Sequence, residues 1–412
     1  MSRHLSDWLE YYLKFTQNSE PPRLYHLWTG ISCITSCLQR KCWLNWGYEN
    51  LYPNFYIVLV GPPGGRKGTA MKYGKGLLRE LKVQLSSDSL GSIQTLYKEL
   101  MESTGTYRTE DGVILEHRSL SVWSEEFQVF LHNSDQRLIP NLTDLFDSPD
   151  VWRYSTLKRG LEDLSKCWLN ILGAITPSLL QGNLNREVAG GGLISRMIFV
   201  VGYGKRKKVP VTFLSKEEEQ LRDHLLADLE QIKQLAGPFR PTAKFIEEYS
   251  KWYMSNESTA GVGSEKFIGY NERRATHLRK LCMVMSASKD DDMVLKKEHL
   301  DRALYILRHT EREMPNAFYG LGKGAHAQTL AEMLTFINDH KRCNTQEVYS
   351  EFLFDASRPE LESYLDILQN AGHIKLEKSL SGKTMVERIE NVTPDETLPV
   401  MKETLYSKLD EE

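Results

Sequence analysis

Residues 54–71 read "NFYIVLVGPPGGRKGTAM", and this stretch decides how the chain is understood. Phe55 to Val60 is an unbroken apolar, β-prone run with no polar alternation, as expected of a parallel strand buried on both faces. Prolines and glycines then break the chain. From Thr69 the sequence "TAMKYGKGLLRELKVQL" carries Met71, Leu77, Leu78 and Leu81 at helical spacing. The order is therefore strand, glycine-rich turn, helix.

That order is the setting of a phosphate-binding loop, G-x-x-x-x-G-K-[ST]. In it the amides at a helix start hold phosphates, the lysine reaches the outer oxygens and the hydroxyl ligates magnesium. Gly61, Gly64, Gly65, Lys67 and Thr69 fit; Arg66 stands where the second glycine belongs, and Gly68 where the hydroxyl belongs. Thr69 comes one position late, near a phosphate or, with a shifted loop, near the metal. ATP and Mg2+ are the expected cofactors.

Such a loop needs acids at the end of a parallel strand to position metal and water. "SVWSEEF" supplies Glu125 as the metal acid and Glu126 as the base that orients water, directly after Val122 and Trp123. The alternative is a helix start with acids in its first turn, which the helix dipole favours. On the next core strand, "LNILGAITPSLL" offers Thr176, or less suitably Asn170, to sense the terminal phosphate; Thr176 before Pro177 also suits a plain strand-end cap. "GLISRMIFVV" places Arg196 just before a strand, where it could act as an arginine finger on a neighbour's nucleotide or be an ordinary surface residue.

The chain has 412 residues, 41% apolar and 26% charged, enough for roughly two or three domains with real cores. A net charge of -3 excludes a globally basic nucleic-acid binder, so any DNA contact must come from local clusters. No apolar run reaches the roughly 20 residues of a membrane span and the amphipathic start lacks a signal-peptide core, so a cytoplasmic protein without membrane partners is expected. Cys33, Cys37 and Cys42, with His26 nearby, lie in an apolar helical pattern that reads as core packing rather than a metal site.

The remaining elements set the expected organisation. Residues 1–45 form a helical segment broken at "NSEPPR", and 46–208 an α/β core with a β-hairpin around Asp111-Gly112. Residues 209–320 read as a helical lid and 326–390 as three helices and a hairpin, a winged-helix order, ahead of an acidic tail over 391–412. For DNA, "WRYSTLKRG" offers Arg153, Tyr154, Lys158 and Arg159, either on a pore-facing loop or as a solvated turn. "GKRKK" offers Lys205, Arg206, Lys207 and Lys208, which also suit a charged linker. The presumed recognition helix "RPELESYLDILQNAG" is acidic, leaving the wing's Lys375, Lys378 and Lys383 as the basic positions.

In combination, GPPGGRKGT, SEEF, ITPSLL and LISRMIFVV resemble a P-loop ATPase family of phages and mobile elements, a domain of unknown function often fused or adjacent to primases. The resemblance covers about Leu24 to Tyr203. More distantly, they resemble the AAA+ module of MCM-type replicative helicases, where a non-glycine also precedes the loop lysine. The resemblance implies a P-loop NTPase core with a mostly parallel sheet, a helical lid and a winged-helix-like domain. It implies Lys67 as phosphate lysine, Glu125 with Thr69 at the metal, Glu126 as base, Thr176 as sensor and Ser195-Arg196 as the finger. Arg273 or Arg274, in "NERRATHLRKL", would be a second nucleotide-sensing arginine. An arginine acting on a neighbour implies a homo-oligomer, with a hexamer the expected size. Gly68, Glu125 in place of Asp and Thr176 in place of Asn depart from the pattern. Two functions follow as expectations: an ATP-driven DNA motor such as a replicative helicase or initiator working beside a primase, or a slow-hydrolysing nucleotide switch that loads other replication proteins. A purely structural chain requires the loop to be dead.

Overall fold

The run Tyr56–Val60 forms the strand its sequence demands, with all five residues buried. The computed structural model describes residues 3–86, 92–109, 111–128, 138–156, 160–183, 192–211, 213–263 and 265–318. Further on it describes 329, 332–334, 336–337, 340, 342–353, 355–370, 373–378 and 384–388.

Two helices come first, α1 (Trp8–Phe15), capped by the Asp7 side chain, and α2 (Arg23–Leu38), whose residues from Leu24 onward are all buried. A helix apolar or small on every face belongs inside a core, so α2 is enclosed on all sides. There follow β1 (Cys42–Trp46), β2 (Glu49–Leu51), β3 (Tyr56–Val60), α3 (Lys67–Glu80), α4 (Ile93–Glu102), β4 (Thr104–Arg108) and β5 (Ile114–Ser124). Next come α5 (Leu138–Phe146), β6 (Val151–Thr156), β7 (Gly160–Ser165), β8 (Cys167–Ile175), α6 (Pro177–Asn183) and β9 (Met197–Val201).

Among the described residues the central sheet runs β4-β5-β8-β3-β9. β3 is parallel to β8 and β9, β5 is parallel to β8, and β4 alone is antiparallel. Each parallel strand was expected from its apolar run. The hairpin at Asp111-Gly112 is also present, Arg108 pairing with Ile114 and Gly112 taking a φ of 81°. Its second arm and the "SLSVWS" strand, read separately from sequence, are one continuous strand β5.

The register sets what gathers at each end of this sheet. Val60 lies beside Ile175 and Val201, and Ser124 beside Gly173. Gly61, Glu125, Thr176 and Gly202 therefore all leave the sheet at its carboxyl edge, while Arg196, just ahead of Met197 and Tyr56, lies at the amino edge.

Residues 209–320 are mainly helical, with α7 (Lys216–Gln234), β10 (Gly237–Pro241), α8 (Ala243–Met254), α9 (Ile268–Lys289), β11 (Val294–Leu295) and α10 (Lys297–Glu313). The two short strands were not anticipated. β10 pairs in parallel with β1, giving a second sheet ordered β11-β10-β1-β2 that ties this region to the start of the chain. The same tie recurs in hydrogen bonds: His4 N and Leu5 N donate to the Asp228 carboxylate at 2.8 and 2.9 Å, and Trp8 Nε1 donates to Leu225 O at 2.8 Å. One hydrophobic cluster accordingly runs from Leu5 to Phe318.

A second cluster draws on Met333 to Val386. It is built on β12 (Arg342–Asn344), α11 (Thr345–Glu351), α12 (Arg358–Asn370), β13 (Ile374–Lys378) and β14 (Thr384–Arg388), with sheet order β12-β14-β13. The turn at Ser381-Gly382, Lys383 and the acidic tail lie outside the described residues. No helix among the described residues is long and apolar enough to cross a membrane.

Candidate functional site

The glycine-rich loop spans the gap between β3 and α3. Gly64 has a φ of 74°, a conformation open to glycine, and Gly65 is packed so that a Cβ would lie 3.0 Å from Pro62 O. Arg66 caps α3 in the left-handed region, φ 61° and ψ 23°, which explains why glycine suits this position better. What holds Arg66 there is Glu20, on the turn between α1 and α2: Arg66 Nε lies 2.6 Å from Glu20 Oε2. From behind, Tyr25 of α2 donates to Val60 O at 2.7 Å and closes over Gly61.

Lys67 is folded onto the loop itself. Its Nζ donates to Gly61 O at 2.6 Å and Pro62 O at 2.8 Å, with no acid paired to it among the described residues, and burial lowers its pKa to about 8. The free amides at the α3 start and this ammonium make an electropositive end suited to phosphate oxygens.

Facing them is the turn after β5. Phe127 anchors it: its ring crosses β8 over Gly173, where a Cβ would come within 2.6 Å of the ring's Cγ. With Phe127 fixed, Glu125 and Glu126 project as exposed carboxylates. Glu125 turns towards α3. A Cβ on Gly68 would collide with Glu125 Oε2 and lie 3.1 Å from its Cδ, and Lys72, one turn further along α3, places Nζ 3.9 Å from the same oxygen. Residues 68 and 72 share a helix face, whereas Thr69 is turned from it by about 100°. Glu125 thus meets the space at Gly68 rather than the hydroxyl of Thr69.

Thr176 also stands at this edge, its hydroxyl 3.3 Å from that of Ser178 and its carbonyl accepting from Leu180 N. Asn170 does not: fully buried in mid-strand, it accepts from Phe55 N and donates to Ser32 Oγ, both at 3.0 Å, and so cannot sense a phosphate. The residue set fits a nucleotide's phosphates with a divalent cation: loop amides, a lysine bonded only to loop carbonyls among the described residues, and a carboxylate aimed at a cradle that a Cβ would fill. No family model and no curated protein matches this chain.

The arginines lie elsewhere. Arg196, buried at the amino edge, donates to Gly192 O at 3.0 Å and pairs with Asp147 at 3.2 Å. The first turns of α9 pack against this same end, and His277 Nε2 donates to Ser195 O at 3.3 Å. Arg273 joins Arg196 on Asp147 at 3.6 Å. Arg274 is 2% exposed, holding Glu311 of α10 through two nitrogens at 2.6 and 2.7 Å, so the expectation that it reads nucleotide is corrected: its charge is spent inside the fold. None of these three arginines is on the Lys67 side of its own chain.

Lys158 and Arg159 lie outside the described residues; the strands on either side of them, β6 and β7, form an antiparallel hairpin with Thr156 opposite Gly160. Lys205 and Arg206 are engaged with the turn after α1. Lys205 Nζ pairs with Glu20 at 3.1 Å, Arg206 N donates to Glu20 O at 2.8 Å, and Arg206 Nη2 donates to Gln17 O. The basic cluster is thereby used in part to brace Glu20, the residue that holds Arg66. Glu20 and Lys72 were missed from sequence; Lys72 was accessible through its i+4 spacing from Gly68, Glu20 was not.

Cys33, Cys37 and Cys42 are buried thiols with burial-raised pKa values, about 12 for the last two, and Cys33 Sγ packs against Gly74. Asp290, Glu298 and His299 bring ligand atoms within 4.8 Å of one another. Lys296 already places its ammonium 3.0 Å from Asp290, and His299 Nδ1 accepts from Lys296 N, which leaves the ring proton on Nε2. That ring proton faces Glu298 Oε1 at 3.6 Å, and Nε2 is buried without a hydrogen-bond partner among the described residues.

Proposed function

We propose that this chain is an ATP-dependent motor on DNA, of the replicative helicase or initiator type, working as a homo-oligomer around a P-loop NTPase core. The observation that carries the reading is the convergence of Lys67, Glu125, Glu126 and Thr176 at the carboxyl edge of the parallel strands of one sheet, where ligands of open α/β sheets bind. Loop amides and Lys67 hold the β and γ phosphate oxygens. Glu126 orients the attacking water and takes its proton, and Thr176 contacts the terminal phosphate. Magnesium, when bound, offsets charge on those oxygens, and Glu125 is the residue to hold it.

Assembly is supported by position. Arg196 sits at the amino end of β9, and a five-residue strand spans roughly 16 Å, so it is set apart from its own loop; to serve a neighbour's nucleotide it must exchange its bonds to Gly192 O and Asp147. Contact with DNA is supported by the β6–β7 hairpin, inserted between the acid strand and the Thr176 strand, with Lys158 and Arg159 between its arms in sequence. The strand–helix–helix–hairpin order of 342–388 supports a winged-helix reading of that unit.

A second reading, a slow-hydrolysing loader or assembly switch, is favoured by Gly68, which lacks a metal-binding hydroxyl. Hydrolysis by wild type and Glu126→Gln, with and without single-stranded DNA and alongside a mass measurement, separates the two. A motor shows DNA-stimulated turnover lost in the variant; a switch shows nucleotide-dependent assembly with little turnover in either.

A further inference from the structure

Gly68 lies in the first turn of α3, and its backbone is helical, not left-handed. Glycine is the poorest helix former after proline, and nothing in its dihedrals calls for it here. What calls for it is space. The position a side chain would take is occupied by the Glu125 carboxylate, with a Cβ at 68 meeting Oε2 and lying 3.1 Å from Cδ and 3.6 Å from Cγ. Glu125 is one methylene longer than aspartate, and the missing side chain at 68 is what lets that longer arm lie against the helix start.

We infer that Gly68 and Glu125 are a matched pair, in which the glycine opens the room for the glutamate carboxylate to ligate the divalent cation directly at the loop, in place of a hydroxyl on the helix. The inference rests on the nucleotide reading above and assigns the metal contact within it. Two departures from the usual motif become one exchange: an oxygen ligand lost from α3 is supplied from the β5 turn. Lys72, 3.9 Å from Glu125 Oε2, is the side-chain cation nearest that carboxylate among the described residues. A serine or alanine at 68 clashes only with the end of a flexible, partly exposed side chain, so it displaces Glu125 without threatening the fold.

The test measures the affinity of full-length protein for a fluorescent ADP analogue in EDTA and again with Mn2+, the ratio of the two reporting the metal contact without any turnover. In wild type the metal raises affinity. Gly68→Ser and Glu125→Asp should each reduce that gain by about tenfold. The double variant, with a shorter acid and a hydroxyl in its place, should recover to within about threefold of wild type. Melting temperature should stay level across the set, which shows that the variants fold, and each variant's gain is taken against its own affinity in EDTA. A Gly68→Ser protein with an equal or larger gain, or single effects that simply multiply in the double variant, overturns the pairing while leaving nucleotide binding intact. No ADP binding by wild type under either condition overturns the pairing and the nucleotide reading together.

Discussion

Lys67 Nζ lies 2.6 Å from the carbonyl oxygen of Gly61, so the lysine is bonded to the loop that carries it. Phosphate must exchange those carbonyls for anionic oxygens, a stronger partner for an ammonium. Lys67→Ala should therefore weaken ATP binding by about 10- to 100-fold, as read by titration with a fluorescent analogue.

The same lysine gives a pH signature. Burial holds its pKa at about 8, below the ordinary 10.5, so it is charged at pH 7 and neutral at pH 9. ATP affinity should fall by about tenfold between those values as binding comes to require proton uptake. Lys67→Arg, which does not titrate in this range, should bind with a flat profile. For folding the sign is opposite: the unfolded chain binds more protons between about pH 8 and 10.5, so Lys67 makes the unliganded fold gain stability as pH rises through that window.

Arg274 and Glu311 are 2% and 3% exposed and joined by two hydrogen bonds, with Tyr270 donating to Glu311 at 3.0 Å. Removing one partner leaves an uncompensated buried charge. Arg274→Ala should cost about 3–5 kcal/mol in urea denaturation, whereas Arg274→Met with Glu311→Leu should cost far less. An Arg274 that contacted nucleotide would instead lose ATP affinity at unchanged stability.

These adjacent arginines show where sequence stops being informative. Residues 273 and 274 read alike in "NERRATHLRKL", yet successive helical side chains point about 100° apart, and so one reaches Asp147 and the other Glu311. Which direction is buried depends on what packs against α9, and that is set by distant chain. The strand, the glycine loop and the acid turn were legible because each is a local pattern: an apolar run, a glycine cluster, two acids after Val122-Trp123. β10 and β11 were not. They are five and two residues long, β10 begins "GP" and ends in Pro241, β10 finds its partner as far back as β1, where Cys42 lies beside Gly237, and β11 joins only through β10. Glu20 was invisible for the same reason, since its value lies in reaching Arg66 across a fold that sequence spacing does not show.

Acid should unfold the protein through its histidines. His26, bonded to Ser19 Oγ at 2.7 Å, and His277, packed on Tyr270, are fully buried, and burial lowers both to about 3; His117 is lowered by burial to about 4. Their unfolded values lie near 6.5, so above that pH they cost nothing, and below it the unfolded chain takes up protons that the folded chain refuses. Stability should decline steadily from pH 6.5 towards 4, seen as a falling melting temperature. Replacing His26 with Gln should flatten part of that slope, and an unchanged slope in the variant would remove His26 from the account.

Arg196 and Lys67 occupy opposite ends of the central sheet, the first beside the start of β9 and the second beyond the end of β3. If each nucleotide is completed by two subunits, damage to the two residues falls on different sides of the same interface. Arg196→Ala and Lys67→Ala proteins should each be inactive as ATPases when pure. Mixed, they should recover activity, because a subunit lacking Arg196 still has an intact loop and meets the intact Arg196 of its Lys67→Ala neighbour. Random mixing of equal amounts gives about one such interface in four, so recovery near a quarter of wild type is expected. Arg196 also bonds Gly192 O and Asp147 within its own chain, so its loss carries a stability cost that a melting curve will show. That cost cannot produce complementation, and a mixture no more active than its parts would remove Arg196 from a neighbour's nucleotide site.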